Sequence, residues 1–195
     1  MQAAAPDHAI DRPLDRPSVL TVGTVVWLAS ELMFFSGLFA AYFTLRAAAT
    51  DAWPPAGVEL DVPVSGLFTL LLVLSSGTMQ LAVRAIEHGR VARFRHWMLV
   101  TLLLGGVFVA NQAREWATLD FHVDSHAFGS AFYLMTGFHG LHVIGGLAAM
   151  LVLLLRASDR RFDAGQTPSV EVVSYYWHFV DVVWIGLWAT LFLLR

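Results

Sequence analysis

Five long apolar stretches dominate the chain, at roughly 19–45, 64–83, 97–116, 129–155 and 172–194, separated by short polar segments. About 20 residues at 1.5 Å rise are needed to cross a hydrocarbon core of roughly 30 Å. Four of the stretches meet that length outright. The third, Trp97–Ala113, is short by that measure and reaches it by taking Arg114, Glu115 and Trp116 into its end. The pattern predicts an all-α, polytopic membrane bundle of five transmembrane helices spanning 19–195, preceded by an arm at 1–18. That arm is acidic and proline-containing, without the basic start and apolar core of a secretory signal.

Arginine placement predicts the orientation. Arg12 and Arg16 of the arm, Arg84, Arg90, Arg93 and Arg95 between spans two and three, and Arg156, Arg160 and Arg161 between spans four and five fall on one side. Only Arg46, Arg114 and Arg195 fall on the other. The positive-inside rule then puts the N-terminus in the cytoplasm and the C-terminus outside. Trp53, Trp97 and Trp116 fall near span ends, where an amphipathic ring is favoured at headgroup level. Arg46, Arg84 and Arg156 end spans and are expected to snorkel to phosphates. Trp177 reads with Tyr175 and Tyr176 as lipid or interface packing.

Composition agrees. The 195 residues are 57% hydrophobic and 14% charged, against about 45–50% and 25% in soluble domains, which argues against a soluble enzyme and excludes disorder. A net charge of −3 leaves no basic footprint for nucleic acid. The lack of cysteine removes disulfides, iron–sulfur clusters, thiolate copper sites and thiol nucleophiles.

Ionisable groups inside spans cost roughly 2.5–3.5 kcal/mol each on insertion scales, so each needs a partner or a task. Glu31 lies about 12 residues, roughly 18 Å, into the first span. His139 and His142 sit mid-way along the fourth, His178 and Asp181 in the fifth. Each pair is three residues apart and so shares a helix face. The spacing allows a metal or haem site in the bundle. It favours interhelical hydrogen bonding, with a neutral His178 donating to Asp181. Glu31 can be a proton-handling carboxyl or a structural one, and Glu115, near the outer interface, an anchor or salt-bridge partner. Gly137, Gly140, Gly145 and Ala149 give the fourth span a small-residue face on which helix backbones can approach closely.

Several blocks together resemble a known family. Ser30-Glu31-Leu32-Met33-Phe34-Phe35-Ser36-Gly37, Trp53-Pro54-Pro55, Gln112-Ala113-Arg114-Glu115-Trp116, 131–143 (AFYLMTGFHGLHV) and 175–184 (YYWHFVDVVW) occur in order. They resemble subunit III of the haem-copper cytochrome c oxidases, most closely its short actinobacterial-type form. The resemblance implies a non-catalytic subunit of an aa3-type cytochrome c oxidase, with no redox centre, no catalytic residue and no metal ligand of its own. Haem a and copper would belong to partner subunits. It further implies packing on oxidase subunit I, contact with subunit II and small subunits, bound phospholipids, and support of sustained turnover and proton uptake in a bacterial cell membrane. By analogy it extends to a bcc-aa3 supercomplex.

Glu31 matches the family's buried carboxylate. Longer members carry two more helices before the Glu31 block, and lipid contacts made by those helices have no counterpart here. The rivals are subunit III of a quinol oxidase, disfavoured by Tyr175-Tyr176-Trp177 and Trp53-Pro54-Pro55, and a haem-binding or ion-coupled membrane protein using the intramembrane His, Glu and Asp directly.

Overall fold

The computed structural model describes residues 19–158 and 162–194. The arm at 1–18 and Arg160, Arg161 and Arg195, used above for orientation, lie outside the described residues. The described chain is all-helical: α1 (Val19–Ala48), α2 (Val62–Glu87), α3 (Val91–Thr118), α4 (Ala127–Arg156) and α5 (Thr167–Trp188). A single turn at Ala164–Gln166 precedes α5, and a π-helical turn at Ala189–Leu193 continues it. All five are long and apolar enough to cross a membrane, as expected. The first four helices outrun their apolar stretches because flanking residues stay helical, and α5 begins before its stretch, at Thr167. The third is the clearest case, a 28-residue helix that takes in Arg93, Arg95 and His96 before the apolar run and Asn111 to Thr118 after it.

Local chemistry sets the helix ends. Asp61 caps α2, its carboxylate accepting from Val64 N at 3.0 Å, and Pro63 occupies the first turn, where no intrahelical donor is required. The α2–α3 turn closes in a Schellman arrangement. Gly89, at φ +66°, donates to Ile86 O and Arg90 donates to Ala85 O, both at 2.8 Å. This tight reversal makes α2 and α3 an antiparallel hairpin. His126 Nδ1 accepts from Gly129 N at 2.8 Å to start α4. At the far end, Arg46 Nη1 donates to the Leu194 carbonyl and Tyr42 OH donates to Thr190 O at 3.3 Å. Arg46, expected to reach for lipid phosphate, thus binds the end of the last helix. Arg156 hydrogen-bonds Gln166 Oε1 at 3.3 Å, and Arg84 stays exposed at the end of α2.

α5 is the axis of the bundle. Half of its most apolar 18-residue stretch is buried, against 11% for the peripheral α1. It packs on α1, α2 and α4 and reaches α3 through its indoles. Three of those indoles make a ladder with α2: Trp177 Nε1 donates to Ser75 Oγ at 2.9 Å, Trp184 Nε1 to Thr69 Oγ1 at 2.9 Å, and Trp188 Nε1 to Ser65 Oγ at 3.0 Å. Each hydroxyl passes its own proton to a carbonyl of its helix, Leu72 O, Ser65 O and Val62 O in turn. No donor in the ladder is left unpaired where water is absent.

Trp177, read from sequence as an interfacial residue, is fully buried. The reason is steric. A Cβ on Gly105 or on Gly146 would come within 2.8 Å of its ring, so two glycines from α3 and α4 form the slot it fills. The small-residue face of α4 likewise receives side chains rather than backbones, with Trp116 over Gly137 and the Tyr176 hydroxyl over Gly145. Replacing Gly146 with Ala is expected to lower stability by about 1–3 kcal/mol through overpacking against Trp177. Gly77→Ala, whose Cβ meets nothing within 4 Å, is expected to be near neutral. Unfolding of the two variants in detergent, followed by tryptophan fluorescence, makes the comparison.

Candidate functional site

The intramembrane ionisable groups fall into three separate arrangements. The first joins α1 to α4. Glu31 Oε2 lies 3.1 Å from His142 Nε2, the one ion pair among the described residues. His142 Nδ1 lies 2.7 Å from Phe138 O, a carbonyl that can only accept, so Nδ1 carries a proton. A short contact between Nε2 and a carboxylate oxygen then requires one further proton between them, whichever atom holds it. Phe34 and Phe35 crowd the imidazole, and Tyr176 of α5 donates to His142 O at 2.9 Å while stacking on Trp27 of α1 at 5.2 Å.

The second arrangement joins α5 to α2. The spacing of His178 and Asp181 predicted a direct hydrogen bond between them, and the structure corrects this. Ser76 of α2 stands between, its hydroxyl donating to Asp181 Oδ2 and its oxygen 2.9 Å from His178 Nδ1. Ser174 Oγ lies 3.2 Å from His178 Nε2. Ser76 Oγ thus meets both groups at once, donating its proton to Asp181 Oδ2 and accepting from His178 Nδ1. The direct bond is lost because a residue of α2 fills the space that i and i+3 side chains of α5 face.

The third is His139, three residues from His142 yet turned to different neighbours. It is fully buried, stacked on Trp184 at 4.8 Å and 27° and edge-on to Phe108 at 6.0 Å. Neither ring nitrogen has a hydrogen-bond partner within the chain, nor does Asp181 Oδ1. Shared helix face did not bring His139 and His142 to one site. Among the described residues no three His, Asp or Glu side chains come together as a metal site.

Glu115 lies half-buried beside a recess of about 140 Å³ lined also by Glu59, Asp61 and Arg114, and closes no ion pair among the described residues. Trp53 packs on Tyr42 and Phe128, each at 5.5 Å; Trp116 lies edge-on to Tyr133 at 5.1 Å, and Trp97 to His96 at 5.2 Å. Sequence reasoning missed Ser65, Thr69, Ser75 and Ser76. The available signal was a run of small hydroxyls, at spacings of four, six and one, inside an apolar span, together with three tryptophans in α5 needing acceptors.

Residues 16–194 match the family model described as cytochrome c oxidase subunit III. The chain belongs to the cytochrome c oxidase subunit III family. It is 51% identical to the probable cytochrome c oxidase subunit 3 of Nocardia farcinica over 185 residues, covering 93% of this chain and 91% of that one. The probable subunit 3 of Mycobacterium tuberculosis is 49% identical with the same coverage. The subunit 3 of Thermostichus vulcanus is 37% identical over 187 residues, 95% and 92% of the two chains. Membership makes this a multi-pass membrane protein that works in a complex with other oxidase subunits. The blocks that carried the resemblance hold much of the packing described above: Glu31 and His142 join α1 to α4, and Trp177, His178, Asp181 and Trp184 join α5 to its neighbours.

Removing the bridging hydroxyl tests the second arrangement. Ser76→Ala leaves both the His178 donor and the Asp181 oxygen unpaired and is expected to cost about 1–3 kcal/mol. Asp181→Asn retains an acceptor and is expected to cost less. Chemical unfolding of the purified subunit would rank the pair, and equal costs would contradict the bridge.

Proposed function

We propose that this chain is the non-redox subunit III of an aa3-type cytochrome c oxidase in a bacterial plasma membrane, an enzyme passing electrons from cytochrome c to oxygen while pumping protons. In this reading it packs on subunit I, with subunit II and small subunits nearby, holds phospholipids, and supports sustained turnover. Haem a and copper reside in the partner subunits. The observation that carries the reading is the engagement of the intramembrane imidazoles in packing. His142 is committed to Glu31 and a carbonyl, His178 to two serines, and His139 to an aromatic sandwich. Each fixes one helix against another, His142 and His178 through hydrogen bonds and His139 through its rings, which is what a scaffold subunit requires.

Glu31 is the residue of this chain suited to handle a proton, because its contact with His142 needs one between the two groups. It sits on the peripheral helix, partly exposed, where a neighbouring subunit or lipid can meet it. The positive-inside distribution supports a cytoplasmic N-terminus and an external C-terminus, which puts the α2–α3 and α4–α5 turns on the cytoplasmic side. The association of such oxidases with a bcc complex is part of the same proposal, by analogy with actinobacterial relatives.

In the assembled oxidase, Glu31→Gln is expected to leave the haem absorption spectrum unchanged while shortening the period over which turnover is sustained. A lost haem signal in an otherwise assembled complex would count against the scaffold role. The absence of cysteine allows a clean orientation test. Ala56→Cys, in the α1–α2 loop, is expected to react with a membrane-impermeant thiol reagent in intact spheroplasts, whereas His88→Cys, in the α2–α3 turn, is expected to react only after lysis.

A further inference from the structure

α3 and α4 pack on each other, yet among the described residues no side-chain hydrogen bond joins them directly. His139 lies at the middle of that contact. It is fully buried, with Trp184 stacked on its ring and Phe108 edge-on. Those rings orient the imidazole but leave its two nitrogens, which lie in the ring plane, without a partner. An imidazole offers at least one N–H donor, and its second nitrogen accepts unless it is protonated. Left unpaired in an apolar interior, such groups cost stability.

The facing helix carries the matching group. Gln112 of α3 is 8% exposed, and its amide Nε2, a donor, is buried and unpaired. Helix register sets it opposite His139. Near the end of α3, Trp116 covers Gly137 of α4; further back, Gly105 faces Leu147. Between those two crossings the antiparallel helices bring Gln112 level with the turn that holds His139. Gln112 also borders the same outer groove as Thr136, Gly137 and Gly140, the residues on either side of His139. Its amide nitrogen is shut off from that groove and so turns into the bundle, the side on which His139 is buried. Thr136 is fully buried one turn before His139 and shares its face. Its hydroxyl donates to Phe132 O at 2.7 Å, which leaves its oxygen free to accept.

We infer that Gln112, Thr136 and His139 hold one internal water molecule between α3 and α4. The water accepts from Gln112 Nε2, donates one proton to the unprotonated nitrogen of His139 and donates the other to Thr136 Oγ1. One donor and two acceptors are the complement of a water molecule, and about three hydrogen bonds is what buried waters make. Ordered water is one of the means by which polar groups inside a membrane bundle are satisfied. A supply lies beside the site. The polar recess of about 140 Å³ between Glu59, Asp61, Arg114 and Glu115 reaches Asn111, the residue before Gln112. The site goes beyond the scaffold function proposed above and does not depend on it. It gives the α3–α4 contact the polar link that Ser76 and the indole ladder give α2 and α5, and that Glu31 with His142 gives α1 and α4.

The test is a density map of the whole oxidase complex, purified in mild detergent, at a resolution that shows ordered water. One compact peak is expected at hydrogen-bond distance, about 2.7–3.2 Å, from Gln112, Thr136 and His139 together. Gln112→Leu removes the donor, and Thr136→Val removes one acceptor while keeping the shape of the side chain. Each is expected to abolish the peak and to lower the temperature at which the complex loses this subunit by about 2–4 °C. Because one water couples the two positions, the double variant is expected to lose little more than either single variant. Thr136→Ser retains the hydroxyl and is expected to keep both the peak and the transition temperature, so the proposal stays testable should Gln112→Leu fail to assemble. An imidazole bonded directly to the Gln112 amide, a map with no peak among the three groups, or losses that simply add in the double variant would each overturn the proposal.

Discussion

The tryptophan–hydroxyl ladder between α2 and α5 is the contact on which the rest of the bundle depends. In lipid, apolar burial does not drive helices together, because the surrounding acyl chains are as apolar as leucine. What remains is close packing and interhelical hydrogen bonding. Trp177, Trp184 and Trp188 supply both, each placing a large ring in the bundle and one N–H on a hydroxyl of α2. The ladder fixes the register of α5, and that register in turn determines where His178 and Asp181 face, where Trp184 stacks on His139, and where Trp177 enters the slot formed by Gly105 and Gly146.

Polar chemistry in this molecule is sorted by depth in the bundle. Along the α2–α5 seam the indoles, His178 and Asp181 Oδ2 pair with serine and threonine hydroxyls, whose short side chains enter the bundle without a large desolvation cost. The one ion pair among the described residues, Glu31 with His142, sits at the periphery, where α1 joins the bundle and both side chains retain some exposure. That distribution follows from the cost of charge in a low-dielectric phase. The seam holds α5 to α2, while the ion pair ties the peripheral α1 to α4.

The sequence made the five helices, their order and the family legible, because the length of an apolar run is set by bilayer thickness and does not depend on which neighbour a helix finds. It also marked Glu31, His139, His142, His178 and Asp181, since an ionisable residue stands out against an apolar background. Their partners were not legible. Position i+3 puts His142 beside His139 and Asp181 beside His178, yet Ser76 intervenes in one pair and the two histidines of the other turn to different helices. Trp177 was misread as interfacial for the same reason: whether an aromatic of a span faces lipid or protein depends on which helices lack side chains opposite it.

Local sequence, through apolar length, the Asp61 cap and the Gly89 turn, thus determined which segments are helical and that α2 and α3 form a hairpin. Only the tertiary structure decided that α5 is central, that the glycines of α4 receive rings from α3 and α5, and that Gly140 is left open. The physical reason is one of range. Helix formation in lipid is settled by hydrogen bonds four residues apart, whereas the choice of neighbour depends on side chains more than a hundred residues distant, such as Ser75 and Trp177.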